Sequence, residues 1–205
     1  MSDVSYFANS HLCEESLLDF RGAISLMPKY IAFLRAINVG GHTVKMDYLR
    51  LLFETLGFSN VETFIASGNV IFSSKAKSTK VLEKKIEDCL KEALGYQVAT
   101  FIRSTVELAS IADYKAFNEA ELNAEGNALY IGFLADRLGD EAKQKLLPFI
   151  TEVDDFHVSG REVYWLRRKG ISESEFSGAR LEKTFGVQAT LRNSTTVRKI
   201  AAKYA

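Results

Sequence analysis

Tyr30-Ile31-Ala32-Phe33-Leu34 recurs one hundred residues later as Tyr130-Ile131-Gly132-Phe133-Leu134, with four of the five positions identical. Working outward, Val61-Glu62-Thr63-Phe64-Ile65-Ala66-Ser67-Gly68 is echoed by Val153-Asp154-Asp155-Phe156-His157-Val158-Ser159-Gly160. Gln97-Val98-Ala99-Thr100 faces Gln188-Ala189-Thr190, and Ser104-Thr105-Val106 faces Thr195-Thr196-Val197. The matches keep their order along the chain, which is the mark of an internal duplication.

Each copy reads as the same series of elements. Residues 29–36 are short and rich in aromatic and β-branched side chains, so they predict a strand. Leu49, Leu52, Phe53 and Leu56 recur at helical spacing over 46–56, and Gly57 closes that helix. Residues 61–66 and 69–73 predict strands about the turn Ser67-Gly68. Residues 79–94 carry an apolar stripe that includes Cys89 and end at Gly95, and a last strand follows at 97–102. The second copy predicts strand 128–134, helix 140–149, strands 153–158 and 162–167, helix 173–185 and strand 188–192. Helices at 105–117 and 195–204 link and close the copies. The expected fold is α+β: two tandem ferredoxin-like (βαββαβ) halves with antiparallel sheets, a linking helix and a C-terminal helix. The divisions are 27–104, 105–127 and 128–205. Residues 1–26 stand outside the repeat; they read as a disordered extension or as an upstream start in place of Met27, with a short helix at 11–20.

The chain has 205 residues, 47% of them apolar, and 26 basic residues balance 26 acidic ones. That composition is globular, and it lacks the basic excess of a protein dedicated to duplex nucleic acid. Local net charges are −3 over 1–26, +4 over 27–103, −4 over 104–150 and +3 over 151–205. Two cysteines without a C-x-x-C, no signal-peptide pattern and no long apolar run together predict a cytoplasmic protein with no membrane partner.

The two copies differ in one informative way. Their offset falls from 100 to 92 between the first strand and the hairpin, which implies about eight extra residues in the first copy. The loop Ile37–Lys45 is the natural place for them, and extra loops on rigid scaffolds often carry function. In a sheet of order 4-1-3-2, this loop lies beside the hairpin Ser67-Gly68-Asn69 and the N-terminus of the first helix, where backbone N–H groups favour an anion. Arg35, Asn38, Gly40, Gly41, Lys45, Ser67 and Asn69 are therefore candidate residues for a small anionic ligand, a nucleotide or a phosphorylated metabolite. Arg192, Asn193 and Thr196 form a weaker candidate set, whose first reading, with Thr195, is a cap for the last helix.

Phe33-Leu34-Arg35-Ala36-Ile37-Asn38-Val39-Gly40-Gly41, then Met46, Leu56-Gly57-Phe58, Ser67-Gly68-Asn69-Val70-Ile71-Phe72 and Arg192-Asn193-Ser194-Thr195-Thr196-Val197 resemble, in order, the motifs of the bacterial family named domain of unknown function 1697. The resemblance covers about residues 27–205 and implies paired ferredoxin-like units. It implies no activity and no catalytic residue. Ala36 stands where the family usually has Gly, and Ser194 where it usually has Trp.

Other chemistry is sparse. His11, His42 and His157 lack ligand spacing, so no metal is expected, and no cofactor motif is present. The phosphate-loop pattern and Gly-x-Ser-x-Gly are absent. His157 takes the place of Ile65 in the repeat and reads as a strand residue. Single-stranded nucleic-acid binding is an alternative, although Asn69-Val70-Ile71-Phe72-Ser73 misses the RNP1 pattern. A protein-interaction scaffold is another. Whether the chain is an enzyme stays open at this point.

Overall fold

The computed structural model describes residues 27–38, 41, 43–168 and 174–205. The readings for residues 1–26, including Cys13, lie outside these, as do Val39, Gly40 and His42. The first half runs β1 (Lys29–Leu34), α1 (Met46–Thr55), β2 (Ser59–Phe64), β3 (Asn69–Ser73), α2 (Thr79–Leu94) and β4 (Thr100–Ser104). Then come α3 (Thr105–Asp113) and α4 (Glu119–Asn123). The second half runs β5 (Ala128–Leu134), α5 (Ala142–Leu146), β6 (Asp154–Ser159), β7 (Glu162–Arg167), α6 (Gly178–Phe185) and β8 (Ala189–Asn193), and α7 (Ser194–Tyr204) closes the chain. The two four-stranded sheets have the orders β2-β3-β1-β4 and β6-β7-β5-β8, with every described pairing antiparallel.

β1 reads as one continuous apolar run because both its faces are covered. Tyr30, Ala32 and Leu34 face α1 and α2 in the core of the first half. Ile31 and Phe33 face the other way, into a core shared with Ile131, Phe133, Tyr164 and Leu166 of the second sheet. The sheets therefore pack face to face. At the centre Phe33 and Phe133 stack with ring centroids 4.0 Å apart and planes 13° from parallel. The helices α3 and α7 close the same core with Leu108, Ile111, Val197 and Ile200. Trp165, Phe176 and Leu181 fill a third core under α5 and α6.

Helix ends follow local chemistry. The hydroxyls of Ser78 and Ser177 accept from backbone N–H groups at the starts of α2 and α6, and Gly95 and Gly186 end them in the left-handed conformation. Ser104 and Glu107 form a reciprocal capping box on α3. Cys89 packs against the first core, as its place on the apolar stripe predicts, and burial raises its thiol pKa.

Several expected boundaries move. The linking helix stops at Asp113 rather than 117, because Tyr114 turns extended, and a separate short α4 follows. The helix expected at 140–149 is α5 plus a 3-10 turn, Leu147–Phe149, built around Pro148, which has no N–H to donate. The helix expected from 173 begins only at Gly178, with Ser177 as its cap; residue 173 lies outside the described residues.

The correspondence expected between the two halves also shifts. The first hairpin has a four-residue connection between Phe64 and Asn69, and the second has only two residues between Ser159 and Glu162. Leu34 N–H donates to Gly68 O at 2.8 Å, and Leu134 N–H donates to Arg161 O at 3.0 Å. Gly68 thus corresponds to Arg161, and Ser159-Gly160 is not the counterpart of Ser67-Gly68. Likewise His157 pairs with Tyr164 as Glu62 pairs with Ile71, so it takes the place of Glu62 rather than Ile65. The whole connection between the first two strands, helix included, is longer by five residues, not eight, and the hairpin supplies two more. His157 accepts or donates a 2.7 Å bond with Tyr114 Oη, and burial lowers its pKa.

Candidate functional site

β1 ends at Leu34, and the chain turns sharply after it. Ala36 and Asn38 both adopt positive φ, 54° and 58°. Asn38 Nδ2 donates to Ala66 O at 3.1 Å, and Asn38 Oδ1 accepts from Val44 N–H at 2.5 Å. One amide therefore ties the long loop both to the first hairpin and to itself. The expected closeness of loop and hairpin holds at this residue. Gly41, also at positive φ, and Lys45, which precedes α1, are exposed. Lys45 does not line the cleft described below, and Gly40 lies outside the described residues.

Arg35 does not offer a free charge. Its Nε and Nη2 donate to Glu182 Oε1 and Oε2 at 2.6 and 2.7 Å, a two-bond contact between the halves. The bonds to Glu182 raise the Arg35 pKa. Burial pushes the Glu182 carboxyl up, but Arg35 and the Ala189 amide outweigh it and hold the group below its ordinary value.

The two candidate sets meet at one contact that neither anticipated. Asn69 is fully buried; its Nδ2 donates to Phe64 O and Ser67 Oγ, and its Oδ1 accepts from Arg192 Nε at 2.6 Å. Arg192 Nη1 donates to Thr190 Oγ1 and Leu191 O, and Nη2 donates to Leu34 O and Gly68 O. Every one of these acceptors is neutral. Among the described residues no carboxylate pairs with Arg192, and burial pushes its pKa down to about 10. Asn193 plays the capping role expected of it, with Oδ1 accepting from Thr195 N–H at 2.8 Å. Thr196 sits half-buried on the first turn of α7, apart from the cleft.

Arg35, Asn38, Ser67, Gly178, Glu182 and Arg192 line a cleft of about 570 Å³ between the halves. Two of the four described non-glycine residues with positive φ, Ala36 and Asn38, line it; strained backbone of this kind often gathers at functional sites. At Ala36 the strain predicts a measurable result. Ala36→Gly removes a left-handed cost of about 1–2 kcal/mol and adds unfolded-state entropy of about 0.4–1 kcal/mol. The variant is expected to be up to about 1.6 kcal/mol more stable in a urea titration; lower stability would show that the alanine methyl is held by packing.

The second half carries the same device on the Phe133 side of the ring stack. Arg103 reaches the second half as Arg192 reaches the first, with Nη2 donating to Leu134 O and Arg161 O and Nη1 donating to Ile102 O. The two guanidinium groups lie over the two stacked rings, Arg192 over Phe33 at 5.7 Å and Arg103 over Phe133 at 5.4 Å. One partner differs. Arg103 Nε donates to the Glu162 carboxylate at 2.7 Å, where Arg192 has only the Asn69 amide. Sequence reasoning missed Arg103, Glu162 and Glu182. The signal available was the repeat itself, which sets Arg103 against Arg192 one residue before each Ser104 and Asn193 cap.

Residues 27–164 match the family described as protein of unknown function DUF1697. No curated protein matches the chain. The fold is similar to that of the conserved bacterial protein SP0830 from Streptococcus pneumoniae, with a TM-score of 0.70 and 19% identity, over 87% of this chain and 98% of that one. No helix among the described residues is long and apolar enough to cross a membrane. With more than half its length matched, and with the motifs around Arg35, Asn38 and Asn69 inside that match, the chain belongs to the DUF1697 family of proteins of unknown function.

Proposed function

We propose that the protein binds a small anionic ligand in the cleft between the halves, with nucleotides and phosphorylated metabolites as the first class to test. One observation carries this reading: Arg192 lines the cleft, is 8% exposed, and has no described carboxylate partner. Arg35 and Glu182 neutralise each other, so the buried charge of Arg192 is what an incoming anion would meet. A buried cation bonded only to neutral groups is costly, and an opposite charge nearby relieves that cost. The reading keeps Asn38, Ser67 and Asn69 as the frame of the site and gives Arg35 to the bridge between halves.

A thermal-shift panel of nucleotides, sugar phosphates and coenzymes on the full chain tests it. A ligand at 100 times its Kd adds about 2.7 kcal/mol, and each kcal/mol moves Tm by about 2–4 °C in a protein of this size. At least one anionic compound is expected to raise Tm while its uncharged analogue does not. A panel with no shift would sink the proposal.

The matched strand orders and the reciprocal arginines also support reading the halves, 27–104 and 128–205, as duplicated ferredoxin-like units joined by 105–127. Single-stranded nucleic acid is less well served. Modules of that kind stack bases on an open sheet face, whereas Ile31, Phe33 and Ile71 are buried between the two sheets.

A further inference from the structure

The second cleft of the molecule indicates where the anion sits in the first. At the end of β5 a cleft of about 450 Å³ is lined by Glu83, Glu87, Thr100 and Leu134. There α2 presents two carboxylates one turn apart to the open edge of β4. Glu87 Oε1 accepts from Thr100 N–H and Glu83 Oε1 accepts from Ile102 N–H, both at 2.8 Å. Glu83 is 6% exposed and lies in the field of Arg103. The protein thus meets both edge N–H groups of this cleft with its own acidic groups.

In the first cleft α6 stands against the open edge of β8 in the same manner. Glu182 Oε1 accepts from Ala189 N–H at 2.8 Å, as Glu87 does from Thr100. The registers agree: Leu34 pairs with Thr100 and Leu134 with Ala189, while Ala32 pairs with Ile102 and Gly132 with Leu191. Backbone N–H groups two residues apart on an edge strand point the same way. Leu191 N–H therefore points to the edge that Ala189 N–H points to, as Ile102 N–H does. One turn before Glu182, however, stands Gly178, where α2 has Glu83. A Cβ built on Gly178 would lie 3.3 Å from Leu191 Cδ1, so position 178 is directly over this strand residue. Among the described residues no side-chain acceptor faces Leu191 N–H.

Building on the cleft as the ligand site, we infer that the ligand presents a carboxylate, or another singly charged oxyanion, that takes the place held by Glu83 in the other cleft: it accepts from Leu191 N–H above Gly178 and balances Arg192. Glu83 of the second cleft has no counterpart in the first, where Gly178 stands, and Glu162, the partner of Arg103, is matched beside Arg192 by the neutral Asn69. One uncompensated positive charge calls for one negative charge, which favours a monoanion over a triphosphate. Gly178 and Leu191 both line the first cleft, which gives such a group its place.

The test is an NMR titration of the full chain with sodium acetate, with sodium phosphate, and with sodium chloride at matched ionic strength. The Leu191 amide is expected to move downfield and saturate with acetate, and to ignore chloride. In Asn69→Asp, where a carboxylate faces Arg192, acetate affinity should fall at least tenfold. In Gly178→Glu, the amide should start downfield and respond no further. A Leu191 amide that tracks chloride, saturates with phosphate alone, or keeps its acetate affinity in Asn69→Asp would overturn the placement. If a nucleotide stabilises the protein while this amide stays still, the placement fails and the cleft reading survives. If neither responds, both fall.

Discussion

Glu162→Ala is expected to lower the unfolding free energy by about 3–5 kcal/mol, the usual cost of leaving one member of a buried ion pair alone. Arg103 is 1% exposed and Glu162 7% exposed, and their contact is 2.7 Å long. Glu162 Oε2 also accepts from Arg161 N–H at the turn into β7. Burial lowers the Arg103 pKa, and Glu162 is the strongest influence acting against that. Without Glu162, the guanidinium keeps only the carbonyls of Ile102, Leu134 and Arg161. Urea unfolding of the variant reads the loss directly. A cost under about 1 kcal/mol would place this pair with exposed ones, where such values are ordinary. Arg192 also stands without a carboxylate, but the Asn69 amide accepts from its Nε, which Glu162→Ala would leave unpartnered in Arg103.

Gly68→Ala is the second large effect, with an expected cost of about 2–5 kcal/mol from two sources. Gly68 has φ of 73°, a conformation that costs an L side chain about 1–2 kcal/mol. A Cβ there would also lie 2.3 Å from Ile37 Cγ2 and 3.1 Å from Leu34 Cβ. Forcing atoms into a packed region typically adds about 1–3 kcal/mol. Gly57→Ala serves as the control, since its φ is 78° but nothing lies within 4 Å of the added carbon. The difference between the two variants in chemical denaturation isolates the clash. Equal losses would show that Ile37 moves aside freely. Ile37 and Gly68 O both border the Arg192 contact, so a packing change here should also disturb the cleft.

The order of strands and helices was legible because each signal is local. The Tyr30–Leu34 run, the stripe of α2 and the glycines at 57, 95 and 186 all act within a few residues of themselves. The register of the repeat was less legible. Ser67-Gly68 and Ser159-Gly160 look alike as letters, but they sit in connections of four and two residues, and the backbone matches Gly68 to Arg161. The candidate loop was found from its length, and Asn38 does hold it to the hairpin. Arg35 is a candidate for the anion in the sequence, where its partner Glu182, 147 residues away, leaves no local sign. Arg192 was read beside its neighbour Asn193 as part of a helix cap, and only Asn193 serves as one. The reach of Arg192 to Asn69 crosses 123 residues and leaves no local pattern. The Gly178 contrast with Glu83 was hidden because α6 has 8 residues and α2 has 16, so the two helices do not align residue by residue.

The reciprocal reach of Arg103 and Arg192 sets an order of events during biosynthesis. The first half receives Arg192 from a strand 158 residues beyond Leu34, near the end of the chain. While the ribosome is still translating the second half, Leu34 O and Gly68 O have no donor from that residue, and the Phe33 face has no opposing sheet. At about 5–20 residues per second, the 89 residues between Arg103 and Arg192 take roughly 4–18 seconds to make. Through that interval the nascent first half lacks the donors of Arg192, and a truncated product that stops before β8 would never gain them.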